Sequence, residues 1–250
     1  MKDILYKIPV LMLLSVIVGC ASMKEQKTEE QKQMDLVGTY IQLAAGYMQS
    51  GRLDFAKDYI EKALEIDANN SQANNVMAIV QWKLKDYGAA DKYFRKAVRE
   101  DPNNSAAQNN YGVFLCEQGK IDKAVRRFEK ATDNALYKTP AEANLNAGLC
   151  LMKKPAPEQA EKYFKAALKA DPRLPGALYH IAVINFEAGR AFPARAFIER
   201  YFAATRNDTP ESLMLAIKIE RALGAKDAEA SYALRLRSRY PDSPQAKNLR

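Results

Sequence analysis

Histidine and cysteine are scarce in this sequence, which has one His and three Cys among 250 residues. Because a zinc site takes four ligands, mostly Cys and His, little material for metal chemistry is present. The sequence also lacks the H-E-x-x-H metalloprotease motif, the phosphate-binding loop and the glycine-rich dinucleotide turn. We therefore expect a protein that is not an enzyme, with no metal, no cofactor and no small-molecule substrate.

Long hydrophobic runs are equally rare, and the one that approaches membrane length lies at the N-terminus. Hydrophobic residues make up 48% of the chain and charged residues 27%, a composition that excludes both a disordered chain and a polytopic membrane protein. The net charge of +8 permits a nucleic-acid or anionic-lipid partner without requiring one. We expect no nucleic-acid partner.

The N-terminal run has the pattern of a signal peptide. Lys2 and Lys7 precede the apolar stretch 8–18, which is shorter than the roughly 20 apolar residues of a spanning helix. Gly19-Cys20 at its end resembles the bacterial lipobox, in which the Cys becomes the lipidated first residue after cleavage. We therefore expect a lipoprotein signal peptide at 1–19 and a lipid on Cys20. The alternative is an uncleaved N-terminal anchor with an incidental Cys.

The lipobox resemblance also implies a location. Ala21 and Ser22 follow Cys20, where lipoproteins kept in the inner membrane commonly carry Asp. The resemblance therefore implies lipid anchoring at the periplasmic face of the outer membrane of a Gram-negative bacterium. Since residues 20–35 contain no core-forming run, we expect the lipidated Cys and a polar tether there, followed by a folded domain at 36–250.

Three columns of residues repeat through the rest of the chain at intervals of 34 or 36 residues. Each unit contains a small residue, a second small residue twelve positions later and a bulky residue four positions after that, as in Gly112, Ala124 and Phe128. Small side chains let two antiparallel helices approach, and the bulky one fills the remaining gap. The columns predict six helical hairpins, at about 37–70, 71–104, 105–138, 141–174, 175–208 and 209–242.

These columns resemble the tetratricopeptide repeat (TPR). The resemblance implies an all-α, right-handed superhelical solenoid whose first helices line the concave side. Gly51, Gly119 and Gly189 stand where first helices should end, in the left-handed conformation that suits glycine. Thr139 and Pro140 form an insertion expected to lengthen the junction between the third and fourth hairpins. The sixth hairpin departs from the columns, as a capping unit should.

In TPR proteins, defined positions of each first helix face a ligand groove, and the resemblance transfers them to this chain. The groove so predicted is mainly apolar with a few amide groups, which suits an amphipathic helix or an extended peptide. Alternatively, apolar residues at this spacing belong to the core, and Trp82 is either a groove anchor or an inter-repeat packing residue. The predicted groove residues are Ile41, Ala45, Met48, Asn75, Ile79, Trp82, Asn109, Val113, Cys116, Leu145, Leu149, Met152, Tyr179, Val183 and Phe186.

Cys116 and Cys150 fall late in the first helices of adjacent repeats. Because an exported protein meets oxidising conditions and adjacent first helices pack side by side, we expect a disulfide between them. The alternative is a pair of buried free thiols.

Basic residues cluster on two of the predicted second helices. Lys123, Arg126, Arg127 and Lys130 lie at helical spacing in the third repeat, and a further group, Arg235, Arg237 and Arg239, lies near the end of the chain. The simplest interpretation is a solvated helix face; contact with acidic partners or lipid headgroups is the alternative.

Three segments resemble a narrower family. Residues 109–119 and 145–150 are similar to the third and fourth repeats of the PilF/PilW family of type IV pilus biogenesis lipoproteins, and 239–244 is similar to its tail. The resemblance implies a pilotin, which binds secretin subunits, takes them to the outer membrane and promotes their multimerisation for pilus biogenesis and twitching motility. The alternative function is a lipidated TPR scaffold for another cell-envelope assembly complex.

Overall fold

The computed structural model describes residues 28–154, 157–205 and 207–249, so the predicted signal peptide and Cys20 lie outside the described residues. Within these ranges the chain forms helices only, and the predicted all-α repeat fold is confirmed. The six antiparallel pairs are α1 (Glu29–Gln49) with α2 (Leu53–Ile66), α3 (Ser71–Lys83) with α4 (Tyr87–Glu100), α5 (Ser105–Glu117) with α6 (Ile121–Asp133), α7 (Pro140–Leu151) with α8 (Pro157–Ala170), α9 (Pro175–Glu187) with α10 (Ala191–Ala204), and α11 (Pro210–Ala222) with α12 (Lys226–Arg239). A short α13 (Pro244–Lys247) follows them.

The first helix begins earlier than the sequence predicts. Residues 29–35, assigned to the polar tether, form the first two turns of α1. Thr28 caps this helix, because its side-chain oxygen accepts a hydrogen bond from the Gln31 N–H at 3.2 Å. Among the described residues, every side chain before Val37 is exposed, so the packing of α1 against its neighbours begins at Val37.

The small residues of the columns lie where paired helices touch. A Cβ atom added to Gly112 would lie 2.6 Å from a ring carbon of Phe128, and Gly148 meets Phe164 in the same way. Carbon atoms do not pack that closely, so these positions require glycine. The corresponding position in the other four repeats is an alanine with 0% exposure: Ala44, Ala78, Ala182 and Ala216.

Residues in the left-handed conformation end the first helices. Gly51, Gly119 and Gly189 have φ angles of 76°, 70° and 73°, and Gly224 has 70°, which a glycine adopts without steric cost. Lys85 takes this conformation in the second repeat with φ 66°. The predicted glycine turns are confirmed.

The linker between the third and fourth hairpins ends one residue earlier than predicted. Pro140 is the first residue of α7 rather than part of the linker. Proline is tolerated there because the first helical N–H has no partner within the helix. The remaining loop is tied back to the second junction, since the Asn134 side-chain amide donates to the Asn103 carbonyl oxygen at 3.0 Å.

The arrangement of the helices shows how the solenoid curves. Consecutive first helices approach one another closely at α1 and α3, α3 and α5, α5 and α7, and α9 and α11. Consecutive second helices do not come comparably close within the described ranges. The first helices therefore form the concave side, and the second helices diverge on the convex side.

The short α13 closes the C-terminal end. Its Ala246 packs with Leu213, Ile217 and Leu236 in a small apolar cluster. Leu213 and Ile217 occupy the register positions that face the groove in earlier repeats, yet they are only 0% and 1% exposed. The sixth repeat therefore contributes packing rather than groove surface.

Candidate protein-binding surface

A strip of partly exposed side chains follows the concave side through five first helices. It consists of twelve of the predicted groove residues, in a mainly apolar sequence that only one amide interrupts. We call this the first-helix strip; its members are Ala45, Met48, Ile79, Trp82, Asn109, Val113, Leu145, Leu149, Met152, Tyr179, Val183 and Phe186.

Three predicted groove residues are buried, and their assignment to an open groove was wrong. Ile41 is 4% exposed, because it packs between the first two repeats with Ile60 and Met77. Asn75 is 6% exposed and Cys116 is 7% exposed. These residues join neighbouring first helices, which explains why a position that is open in one repeat is closed in another.

Trp82 combines the two roles that the sequence left open. Its ring meets the edges of Phe94 and Phe114 with centroid distances of 6.3 and 5.7 Å, and both partners are buried. Part of the indole remains exposed at the concave side. Trp82 is therefore a packing residue between the second and third repeats that also contributes surface to the first-helix strip.

Amide pairs connect consecutive first helices in the middle of the solenoid. The Asn110 side-chain N–H donates to the Asn75 side-chain oxygen at 3.2 Å, and Asn146 donates to Asn109 at 3.1 Å. A side-chain amide offers both a donor and an acceptor, so such a pair satisfies polar groups that helix packing partly buries. The sequence showed amides in the groove but not that they bind one another.

Cys116 and Cys150 form a disulfide that links α5 to α7, with Cα atoms 5.8 Å apart. Next to it, the Lys153 ammonium group lies 3.4 Å from the Cys116 carbonyl oxygen. The link joins the two repeats on either side of the insertion, so it limits how far that junction can open.

Electrostatics keep the far end of the strip neutral near pH 7. Burial raises the pKa of Tyr179, and the negative charge of Glu211 adds to the effect. Burial also lowers the pKa of His180, whose ring stacks on Phe164 at 5.3 Å. An apolar ligand segment would therefore meet no charged tyrosine or histidine there.

An apolar face of α1 is a second open surface, and the sequence did not predict it. Because α1 has no preceding helix in the described chain, its outer side is uncovered; Leu36 and Leu43 are 41% and 40% exposed. A cavity of about 390 Å³ lies along Leu43, Gly46 and Tyr47. The signal was a leucine directly before a residue of the buried stripe, about 100° around the helix: Leu36 precedes Val37, and Leu43 precedes Ala44.

Neither a metal site nor a membrane-spanning helix is present in the part of the chain that the structure describes. These residues bring together no group of three His, Cys, Asp or Glu side chains able to hold a metal ion. Among the same residues, no helix has the length and hydropathy needed to cross a membrane.

Comparisons with known proteins identify relatives over most of the chain. Two profiles of the tetratricopeptide repeat family match it, one at residues 41–105 and 115–175, the other at 81–136 and 151–219. The chain is 32% identical over 230 residues to the type IV pilus assembly protein PilF of Pseudomonas aeruginosa, covering 91% of this chain and 90% of that protein.

Two solved structures are similar in fold and in sequence. The structure of Pseudomonas aeruginosa PilF matches with a TM-score of 0.78 and 30% identity, covering 86% of this chain and 97% of that chain. The crystal structure of PilW, described as a widely conserved type IV pilus biogenesis factor, matches with a TM-score of 0.73 and 32% identity, covering 84% and 96%.

Proposed function

Since the chain belongs to the PilF/PilW family of tetratricopeptide-repeat proteins of type IV pilus biogenesis, we propose that it is a pilotin. In this role it binds secretin subunits, brings them to the outer membrane and promotes their assembly into the multimeric pore. It carries out no reaction on its partner. The lipid on Cys20 holds it at the periplasmic face of the outer membrane.

The observation that carries this proposal is the first-helix strip. Its apolar side chains are partly exposed on five consecutive first helices, which pack against the core of the solenoid. A preformed site loses little conformational entropy on binding, so more of the contact energy appears as affinity. An apolar strip of this kind suits an amphipathic helix or an extended segment of a secretin subunit.

The proposed lipid explains delivery rather than recognition. Each methylene group buried in a bilayer contributes about 0.8 kcal/mol, so several acyl chains on Cys20 would hold the protein at the membrane. A secretin subunit bound to the solenoid would then travel with it.

Replacing a leucine by aspartate on an apolar surface should weaken any binding that depends on that surface, so such variants show which surface binds secretin. The test is a pull-down of purified secretin subunits by the full chain, comparing Leu149→Asp in the first-helix strip with Leu43→Asp on the outer face of α1. Leu136→Asp is the control, since this leucine is 87% exposed in the loop before α7, away from both surfaces. We expect Leu149→Asp to weaken secretin retention by at least tenfold and Leu136→Asp to leave it unchanged.

Two outcomes would contradict parts of this proposal. If Leu43→Asp abolishes retention and Leu149→Asp does not, secretin binds the outer face of α1 and the concave assignment is wrong. If the unmodified chain retains no secretin, the pilotin role fails, and a scaffold for another envelope complex becomes the better account.

A further inference from the structure

A deep groove lies on the convex side, between α4 and α6. It encloses about 1000 Å³, and its floor is formed by Tyr111 and Leu115 of α5. Asp91 and Arg95 line the α4 wall, and α6 supplies the opposite wall over most of its length. The groove exists because the second helices diverge where the first helices converge. We call it the convex groove.

The lining of the convex groove is strongly basic. Six cations, Arg95, Lys120, Lys123, Arg126, Arg127 and Lys130, face three carboxylates. The groove between α10 and α12 provides an internal comparison, with a volume of about 690 Å³. There, two cations stand against three carboxylates. The positive charge therefore distinguishes this groove from the one between α10 and α12.

Most of the carboxylates in the convex groove already have partners. Asp91 lies 2.7 Å from the Arg95 guanidinium and accepts a hydrogen bond from the Tyr111 hydroxyl at 2.9 Å. Burial and Asp91 raise the pKa of Tyr111 to about 12, which keeps this phenol a neutral donor. Asp133 lies 3.5 Å from Lys130.

Four cations, Lys120, Lys123, Arg126 and Arg127, form no ion pair within the described ranges. Arg126 interacts electrostatically with Asp122, but that carboxylate is already paired with Lys154 at 2.7 Å. Arg127 is nonetheless held in place, because it donates to the side-chain oxygen of the buried Gln108 at 3.2 Å, and its guanidinium lies 5.0 Å from the Tyr111 ring centre. Such a positioned guanidinium binds a carboxylate at a lower entropic cost than a free one.

We propose that the convex groove binds a carboxylate-rich segment of a protein partner. The four unpaired cations lie within two turns of helix, or about 10 Å, which side chains spaced along an extended or helical peptide can match. A planar membrane surface would reach the rim of a groove but not its aromatic floor. A uniformly charged polyphosphate or nucleic acid would meet Glu129 and Asp133 at the other end of α6, whereas a peptide can place a different residue there.

The convex groove and the first-helix strip share no residue and lie on opposite sides of the solenoid. The inference therefore does not depend on what the strip binds. If both surfaces are occupied, the chain holds two protein segments at once, one apolar and one acidic.

The test uses the full chain, purified in detergent, and a fluorescein-labelled peptide of alternating Glu and Ala, with binding measured by fluorescence anisotropy. The groove variant Lys123→Glu/Arg126→Glu reverses two exposed unpaired cations. The control Lys169→Glu/Arg173→Glu makes the same change in net charge at exposed positions outside the groove. We expect the groove variant to weaken peptide binding by at least tenfold and the control by less than twofold. The matched peptide of alternating Gln and Ala should not bind.

Three results would overturn the proposal. Equal losses in the groove and control variants would show that net charge alone attracts the peptide. Unchanged binding by the groove variant would exclude the groove as the site. If inorganic polyphosphate displaces the peptide and binds the groove more tightly than the peptide does, the site is one for phosphate polymers instead.

Discussion

Between α3 and α8 the repeats meet through aromatic rings, amide pairs and a disulfide, whereas between α10 and α13 apolar packing is combined with ion pairs to buried carboxylates. In the middle, Phe94 and Phe114 lie 5.3 Å apart at the centre of one apolar cluster that extends from α3 to α9. At the end, Arg195 pairs with the buried Glu220, and Arg239 lies 2.7 Å from the buried Asp208. A terminal repeat contacts only one neighbouring repeat, so we expect the C-terminal end of the solenoid to unfold before the middle.

The single tryptophan makes this comparison measurable. Trp82 packs against Phe94 and Phe114, so its fluorescence reports unfolding of the middle repeats. Far-UV circular dichroism reports all helices. Under destabilising conditions, we expect loss of helix at the C-terminal end to precede the change in Trp82 fluorescence.

The largest effect is expected from a cavity in the middle. Phe164 is 0% exposed beneath Gly148, so Phe164→Ala should lower the free energy of unfolding by about 3–5 kcal/mol. Phe192→Ala is the control, because Phe192 is 73% exposed and its truncation should change stability little. Urea denaturation followed by Trp82 fluorescence measures both. Similar midpoints for the two variants would contradict the packing described for the middle.

Loss of the disulfide should cost almost as much. The 34-residue separation of Cys116 and Cys150 corresponds to about 4 kcal/mol of loop entropy. The Cys116→Ser/Cys150→Ser variant should unfold at a lower urea concentration and converge with the reduced wild type. Alkylation of unfolded protein without reductant, followed by mass measurement, should leave both cysteines unmodified. Adducts on both residues would show that they are free thiols.

A smaller effect is expected at the C-terminal end. The Asp208 side chain is 1% exposed and is paired with Arg235 and Arg239, so Asp208→Asn should cost about 2 kcal/mol. Asp242→Asn is the control, because the Asp242 side chain is 98% exposed. In urea, the Asp208 variant should lose helix by circular dichroism before Trp82 fluorescence changes. Simultaneous transitions would remove the distinction between end and middle.

The smallest effect is the pH dependence of His180. Burial lowers the pKa of this histidine in the folded state, so the unfolded state, with a pKa near 6.5, takes up the proton first as pH falls. Its contribution to stability is therefore present above pH 6.5 and is lost as pH falls towards the folded pKa. The thermal midpoints of wild type and His180→Gln should differ by a constant amount above pH 6.5, and the wild type should lose stability relative to the variant as pH falls below it. Parallel curves would exclude a role for His180.

The hairpins were predictable because each column of small and bulky residues records one local contact between paired helices. The first two turns of α1 could not be predicted in this way. Residues 29–35 are mostly polar and exposed, so they show no hydrophobic periodicity. The ion pair of Arg195 with Glu220 joins residues 25 positions apart that follow no repeat column.

The structure buries three of the predicted groove residues, Ile41, Asn75 and Cys116, and leaves the others partly exposed on the concave side. Whether a first-helix position is open depends on the residue that the next first helix places against it. Asn110 closes over Asn75, whereas no corresponding amide covers Ile79. A register taken from one repeat at a time does not contain that information.

The most direct test of the account is the state of secretin in cells that make the wild-type chain, the Cys20→Ser variant or no chain. Outer membranes are isolated, and secretin is measured as multimer or monomer by gel electrophoresis without boiling. We expect multimers in the outer membrane only with the wild-type chain, and monomers outside it in the other two strains. Normal amounts of secretin multimer in the outer membrane of cells without the chain would contradict the proposed function.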